Sequence, residues 1–244
     1  MESIRVRGRR VPRLDGVSLS LQAGERVALI GPSGAGKSSL LAVANGLIRP
    51  DQGTVRWQGE PPARPGSSRR RRQQARIGTL WQDLRLIEEL SVQQNINAAR
   101  LAVSGWPRAL LNLLLPLDSG ACSALLHRLD LDPGLLSQPV AALSGGQRQR
   151  VALARLLRQD PVLLLADEPL ASLDPRLAAD LLTLLLQEAR PPRALLLSLH
   201  RPDLLSGFDR VVGLRDGRIV VDGPPAAISP IQLEALYAGS AKVA

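Results

Sequence analysis

Hydrophobic residues along the chain fall into short runs of strand length that alternate with longer segments of helical spacing. The runs at residues 25–30, 161–166 and 194–199 are largely apolar, which is typical of strands buried on both faces. Residues 37–46 and 177–189 have the apolar spacing of helices. This alternation predicts an α/β fold with a mainly parallel sheet that is covered on both faces.

Shorter alternating segments lie towards both ends of the chain. Residues 4–6 and 17–21 alternate in strand fashion, with a turn predicted between them at Asp15-Gly16, and residues 53–59 resemble another short strand. Residues 211–221 contain two apolar runs separated by an Asp-Gly pair, which is typical of a hairpin. Antiparallel strand pairs are therefore expected beside the parallel sheet.

The middle of the chain is predicted to be helical. Between residues 83 and 143 the apolar spacing is helical, with breaks predicted at Gly105, Pro107, Pro116, Pro133 and Pro139. The sequence shows no internal repeat. We therefore expect a single domain over residues 1–244, made of a core at about 1–82 and 150–223, a helical subdomain at about 83–149 and a short tail at 224–244.

The composition narrows the classes of function. Lys and Arg number 31 against 22 Asp and Glu, and the net charge of +9 predicts acidic partners: nucleotide phosphates, nucleic acid or an anionic membrane. One cysteine, Cys122, excludes an intramolecular disulfide, and two histidines argue against a histidine-rich metal centre. No apolar run approaches the roughly 18 residues of a membrane span. No secretory signal is evident, so a cytosolic location is expected.

A glycine-rich segment has the chemistry of a phosphate-binding loop. Residues 31–38 match G-x-x-x-x-G-K-[ST], between a predicted strand and a predicted helix. Glycines let backbone N–H groups point at phosphate oxygens, and the helix N-terminus adds positive potential. Lys37 is expected to reach the β- and γ-phosphates, and the Ser38 hydroxyl to ligate Mg²⁺. The expected nucleotide contacts are Gly31, Pro32, Ser33, Gly34, Ala35, Gly36, Lys37, Ser38 and Ser39.

Two adjacent carboxylates, Asp167 and Glu168, follow the apolar run at residues 161–166. Ligands bind at the carboxyl ends of strands in open α/β sheets. Asp167 is expected to hold Mg²⁺, directly or through water, and Glu168 to polarise the water that attacks the γ-phosphate. Alone, such a pair is equally typical of a helix start; the phosphate loop favours the catalytic interpretation.

A Leu-Ser-Gly-Gly-Gln segment at residues 143–147 lies between the phosphate loop and the acidic pair. A Ser-Gly-Gly turn that opens a helix offers N–H groups and a hydroxyl to an anion. With the three motifs in this order, the chain resembles the ATP-binding-cassette (ABC) ATPases over about residues 4–223. The resemblance implies a P-loop NTPase core with a mainly parallel sheet, a small antiparallel β subdomain and an inserted α-helical subdomain.

The resemblance also implies roles for single residues. Gln82 stands at the Q-loop position and would contact Mg²⁺ and water, so the implied metal ligands are Ser38, Gln82 and Asp167. Residues 172–174 match the D-loop, which includes Asp174. His200 matches the switch histidine that contacts the γ-phosphate, so the implied catalytic residues are Glu168, His200 and Lys37. Two copies would sandwich two ATP molecules, each held by the phosphate loop of one copy and by Ser144, Gly145, Gly146 and Gln147 of the other.

One common family feature is missing. The aromatic residue that usually stacks on adenine would fall at Gly8, where the chain has no ring. Arg9 and Arg10 are the alternatives for that contact, because a guanidinium plane can lie on a π face.

The implied partners are a second copy, transmembrane permease subunits and, indirectly, a periplasmic solute-binding protein, which places the chain at the cytoplasmic face of the inner membrane. Residues 166–175 and 213–225, and the middle block with Trp106, resemble phosphonate-importer ATPases, so import of phosphonates or related phosphorus oxyanions is expected. The alternatives are a membrane-associated ATPase of the lipoprotein-release or cell-division type and a nucleic-acid-linked ABC ATPase. Only the run at residues 69–72 favours nucleic acid, and it is also typical of a solvated helix or loop, or of a patch near anionic headgroups.

Overall fold

The structure, a computed structural model, describes residues 1–9, 11–171 and 173–238, without the side chains of residues 102–106, 108 and 109. Its strands are β1 (Glu2–Val6), β2 (Leu14–Val17), β3 (Arg26–Ile30), β4 (Gln52–Thr54), β5 (Ile77–Leu80), β6 (Leu163–Ala166), β7 (Ala194–Leu199), β8 (Arg210–Arg215) and β9 (Arg218–Gly223). Its α-helices are α1 (Lys37–Ala44), α2 (Ser68–Ala75), α3 (Val92–Ala98), α4 (Leu101–Leu114), α5 (Ser119–Arg128), α6 (Gly145–Arg158), α7 (Pro175–Glu188) and α8 (Pro230–Tyr237).

The main sheet has the strand order β5-β6-β7-β3-β8-β9. All neighbours are parallel except β8 and β9, which form the predicted antiparallel hairpin. A small antiparallel sheet has the order β2-β1-β4. The α/β class, the mainly parallel sheet and the small antiparallel sheet are as the sequence predicted.

Two hydrophobic cores lie on opposite faces of the main sheet, because successive side chains of a strand point to opposite faces. In β3, Val27 and Leu29 pack into the core that includes Leu40 of α1. Ala28 and Ile30 pack into the other core, which includes Leu153 of α6. Burial on both faces accounts for the continuous apolar run at residues 27–30.

The turn predicted at Asp15-Gly16 is wrong, because both residues lie inside β2. Asp15 is tolerated there because Arg5 and Arg218 donate to its carboxylate at 3.0 and 2.9 Å. Gly16 has φ +75°, and the pairing of β1 with β2 is irregular next to it. The strand predicted at 17–21 ends at Val17, and that predicted at 53–59 is confined to β4.

The helix breaks predicted at Gly105 and Pro107 are also wrong, since α4 continues through both residues. A proline in a helix removes a backbone donor. Here the far half of α4 is held against α3 by side-chain bonds: Gln94 Nε2 donates to the Leu113 carbonyl, and Asn112 Nδ2 donates to the Gln94 carbonyl, both at 3.1 Å. Tertiary contacts therefore outweigh the local cost of the proline.

The arginine run at residues 69–72 lies in α2. None of the helices in the described ranges is long and apolar enough to cross a membrane.

Candidate active site

The glycine-rich loop connects β3 to α1 and follows a path that needs glycine. Gly31 and Gly36 have φ +146° and +108°, and a Cβ on either would lie 2.1 Å from the Leu214 carbonyl oxygen or 2.5 Å from the Arg13 carbonyl oxygen, respectively. Gly36 is also the N-cap of α1, and no side chain caps that end. The first N–H groups of the helix are therefore oriented to receive an anion.

Lys37, the first residue of α1, lies inside this loop with its side chain 4% exposed. Its Nζ donates to the carbonyl oxygens of Gly31 at 2.8 Å and Pro32 at 3.2 Å, and lies 3.5 Å from Glu168 Oε1. Burial lowers the pKa of Lys37, and the charge of Glu168 opposes that shift. The ammonium group is thus held at the loop and against the acidic pair.

Asp167 follows β6 and accepts two hydroxyl donors at Oδ1. Ser38 Oγ donates to it at 3.2 Å and Ser198 Oγ at 2.9 Å. Ser198 also accepts the backbone N–H of Glu168 at 2.8 Å, and it is fully buried. The hydroxyls of β7 and α1 therefore fix both the carboxylate of Asp167 and the backbone of Glu168.

Glu168 lies between two basic groups. His200 Nε2 lies 2.5 Å from Glu168 Oε1, the same oxygen that Lys37 approaches. Glu168 has φ +48°, a left-handed conformation that is uncommon for a residue with a side chain and that recurs at functional sites. The arrangement places one oriented carboxylate at the mouth of the phosphate loop.

The predicted residues Lys37, Ser38, Asp167, Glu168 and His200 thus lie together. Ser198 was missed by the sequence reasoning, although a signal exists: it is the one hydroxyl residue in the apolar run at 194–199.

Other predicted residues lie outside this cluster in the single chain. Gln82 is exposed after β5. Ser144 caps α6, where its Oγ accepts the Gln147 N–H and Gln147 Oε1 accepts the Ser144 N–H. Asp174 caps α7 by accepting the N–H groups of Arg176 and Leu177, both at 3.0 Å. The described contacts give Ser144, Gln147 and Asp174 local capping roles, and none joins them to Lys37 or Glu168.

Some predictions concern residues outside the described ones: Arg10, Ser172 and the side chain of Trp106. A Cβ on Gly8 would lie 2.0 Å from the Val11 carbonyl oxygen. Arg9 is exposed beside it.

A further contact links α6 to the segment after Gln82. Leu84 and Arg85 have φ +54° and +49°. Arg155 of α6 donates to both of their carbonyl oxygens, with a distance of 2.5 Å at Leu84. One guanidinium therefore bonds two residues in left-handed conformations. It connects the segment that follows Gln82 to α6, the helix that begins at the Ser-Gly-Gly turn. Sequence spacing alone does not reveal this contact.

Comparison with known proteins identifies the family of the chain. The family model described as ABC transporter matches residues 14–171. The chain is 45% identical over 230 residues to the phosphonates import ATP-binding protein PhnC of Pseudomonas fluorescens, covering 93% of this chain and 86% of that protein. It is 42% identical over 226 residues to the protein of the same name from Alcaligenes faecalis, covering 92% and 82%.

Solved structures of similar fold are also ABC cassettes. An ATP-binding cassette of an ABC transporter in its ADP conformation has a TM-score of 0.80 at 25% identity, covering 96% of this chain and 95% of that chain. A dimeric bacterial ABC transporter cassette has a TM-score of 0.75 at 24% identity, covering 93% and 98%. With a family match over most of its length and relatives above 40% identity, this chain belongs to the ABC transporter family.

Proposed function

We propose that the chain is the ATP-hydrolysing, energy-coupling subunit of a bacterial ABC importer for phosphonates or related phosphorus oxyanions. The observation that carries the enzymatic part is the cluster of Lys37, Glu168 and His200 at the mouth of the phosphate loop. The importer part is supported by similarity to proteins named for phosphonate import.

In the proposed reaction, backbone N–H groups of the loop and the Lys37 ammonium bind the phosphates of ATP. Glu168 orients the attacking water and accepts its proton, and a positioned general base contributes about 10²- to 10⁴-fold. His200 holds the Glu168 carboxylate through Nε2 at 2.5 Å and would contact the γ-phosphate from this position. Hydrolysis at this site then requires no covalent intermediate on the protein.

Mg²⁺ is the proposed cofactor, and the donor atoms fit it. Ser38 Oγ and Asp167 Oδ1 are 3.2 Å apart, close to the ~3 Å between adjacent oxygen ligands of an octahedral Mg²⁺ site. Gln82, exposed at the end of β5, is the proposed third ligand. When bound, the metal would neutralise phosphate charge; the chain's part is to hold the hydroxyl and carboxylate in place, with Ser198 fixing Asp167.

A second copy is proposed to complete the site. Ser144 and Gly145 are exposed at the start of α6 and have no contact with the Lys37 cluster of their own chain. A second chain would present Ser144, Gly145, Gly146 and Gln147 to the phosphates, with Asp174 nearby. ATP contacts made only in the closed pair would drive closure. Permease subunits would take up this motion at the cytoplasmic face of the membrane, with a periplasmic protein delivering the solute.

The test is Glu168→Gln, with Glu234→Gln as the control because Glu234 is an exposed residue of α8. Glu168→Gln is expected to bind ATP, to lose hydrolysis by at least about 10²-fold, and to accumulate as a dimer in light scattering. Unchanged hydrolysis would remove Glu168 as the base.

The importer assignment has its own experiment. ATP hydrolysis is expected to rise when the chain is reconstituted with the permease and a phosphonate-binding protein. Stimulation by DNA or RNA would instead identify a nucleic-acid-linked ATPase. Stimulation by a permease without any solute-binding protein would identify one of the other membrane-associated types.

A further inference from the structure

Six arginines line one cavity of about 1350 Å³: Arg56, Arg69, Arg72, Arg76, Arg100 and Arg158. Two carboxylates, those of Glu60 and Asp160, line it as well. Both are already paired, Glu60 with Arg69 at 3.1 Å and Asp160 with Arg193 at 2.7 Å. The cavity therefore has a strong excess of positive charge.

Three of these cations are free to bind an external anion; a fourth arginine without an ion pair in the described ranges, Arg56, donates instead to the Gly59 carbonyl oxygen at 3.5 Å. Arg72, Arg76 and Arg100 are exposed, and none of them forms an ion pair with another residue of the described ranges. Arg72 lies in α2, Arg76 directly precedes β5, and Arg100 is the N-cap of α4.

The cavity lies far from the candidate active site. Ile77, Leu163 and Ala194, which line it, are the first residues of β5, β6 and β7. Lys37, Glu168 and His200 follow the opposite, carboxyl ends of β3, β6 and β7. Because these strands are parallel, an anion in the cavity would not compete with ATP.

Helix α4 starts directly after Arg100, packs against α2 and carries an exposed apolar surface at its far end. Its outward leucines are 44–73% exposed: Leu110, Leu111, Leu113, Leu114 and Leu115. Asn112, between them, points inward and is 6% exposed. At ~100° per residue the four of these leucines that lie within α4 cover roughly 160° of the helix surface, wider than one core-facing stripe.

We propose that this surface binds an anionic phospholipid bilayer directly. It is called the Arg–Leu face and consists of Arg72, Arg76, Arg100 and the leucines of residues 110–115. Guanidinium groups pair with headgroup phosphates, and exposed leucines enter the boundary between headgroups and acyl chains.

The two halves of the face fit this ligand better than the alternatives. From Arg100 to Leu115 the helix rises about 22 Å, so both halves can contact one bilayer surface. Soluble phosphate would use the arginines but leave the leucines in water. An acidic protein segment would pair with the arginines of the cavity but leave the exposed leucines of α4 in water. A phospholipid carries the anionic and the apolar group in one molecule.

The experiment is flotation of the full chain with vesicles, without detergent. Binding is expected with vesicles of phosphatidylglycerol and phosphatidylcholine, weak binding with phosphatidylcholine alone, and loss of binding at 0.5 M salt, where charge interactions are screened. The variant Arg72→Gln/Arg76→Gln is expected to bind about 25-fold more weakly, at about fivefold per arginine. Leu111→Ser/Leu114→Ser is expected to bind about tenfold more weakly.

Matched controls remove the same groups elsewhere. Arg49→Gln/Arg190→Gln makes the same change in charge at exposed arginines away from the cavity. Leu47→Ser/Ile231→Ser removes side chains that are 61% and 76% exposed. Both controls are expected to bind vesicles within about twofold of wild type, because one exposed residue away from the face contributes little. All four variants are expected to keep the basal ATPase rate.

Three results would overturn the proposal. The first is that the wild type does not bind anionic vesicles. If tripolyphosphate in solution then binds through Arg72 and Arg76, the arginines form a site for a soluble anion instead. The second is an equal loss of binding in the Arg49/Arg190 control, since net charge alone would then explain binding. The third is a pair of observations on the Arg72/Arg76 and Leu111/Leu114 variants: they bind vesicles as the wild type does, but the permease no longer stimulates their ATP hydrolysis. The face would then be a protein interface.

Discussion

Replacing Ser198 by alanine tests the one residue of the site that sequence reasoning missed. The change deletes a single buried hydroxyl that donates to Asp167 Oδ1 at 2.9 Å and accepts the Glu168 N–H at 2.8 Å. Asp167 keeps the donor from Ser38 at 3.2 Å, but the Glu168 N–H loses the acceptor recorded for it. The variant therefore weakens the positions of both carboxylates and changes no charge.

The expected cost follows from these two bonds. A hydrogen bond to a charged group contributes about 1.5–3 kcal/mol, and an unsatisfied buried N–H costs about 1–3 kcal/mol. Because Glu168 is 18% exposed, water can replace part of the second loss. We expect the free energy of unfolding to fall by about 2–3 kcal/mol, which lowers Tm by about 4–12 °C in a chain of this size.

Two measurements separate a functional role from a purely structural one. Thermal unfolding gives the loss of stability, with Thr183→Ala as the control because its exposed hydroxyl donates only to the Ala179 carbonyl within α7. ATPase activity against Mg²⁺ concentration gives the effect on Asp167, and removal of such a supporting residue raises the half-saturating concentration by about 10- to 100-fold. If Ser198→Ala melts like Thr183→Ala and keeps its Mg²⁺ dependence, Ser198 does not position Asp167.

Three further predictions concern the loop, the buried thiol and the contact after Gln82. Gly36→Ala is expected to abolish nucleotide binding, because its Cβ would lie 2.5 Å from the Arg13 oxygen; Gly34→Ala, with no atom within 4 Å, should cost only the backbone strain of about 1 kcal/mol by thermal unfolding. Burial raises the pKa of Cys122 to about 11, so its alkylation at pH 8 should be about 100-fold slower than in urea. Because the unfolded thiol ionises first, stability should fall from pH 9 to 11. Arg155→Lys replaces the rigid planar fork, which bonds both carbonyls through two nitrogens, by one ammonium on a flexible stem; in a steady-state ATPase assay it should lower kcat roughly threefold at unchanged nucleotide affinity.

The central strands were predictable because a strand that is buried on both faces needs apolar residues at consecutive positions. The runs at 25–30, 161–166 and 194–199 correspond to β3, β6 and β7, within two residues at each end. Their order in the sheet was not predictable from the runs, because local apolar spacing carries no information on which strands pair. The proposed division into a core, a helical subdomain and a tail stays a prediction.

The failures occur where a distant residue overrides a local preference. Asp15 reads as a turn residue, yet two arginines, one of them more than 200 positions away, hold it in a strand. Pro107 predicts the end of a helix, yet α4 continues past it because side-chain bonds hold its second half against α3. None of these partners is visible in the local pattern.

The strand order explains why the site assembles from three motifs that are far apart in sequence. In the sheet β7 lies between β6 and β3, and all three are parallel. Their carboxyl ends therefore deliver Glu168, His200 and Lys37 to neighbouring positions at one edge. A residue on β7 can reach across to both neighbours, and Ser198 does so by bonding Asp167, which Ser38 also bonds. The Ser144 turn opens α6, outside this strand triplet, and under the proposed function a second chain would supply it.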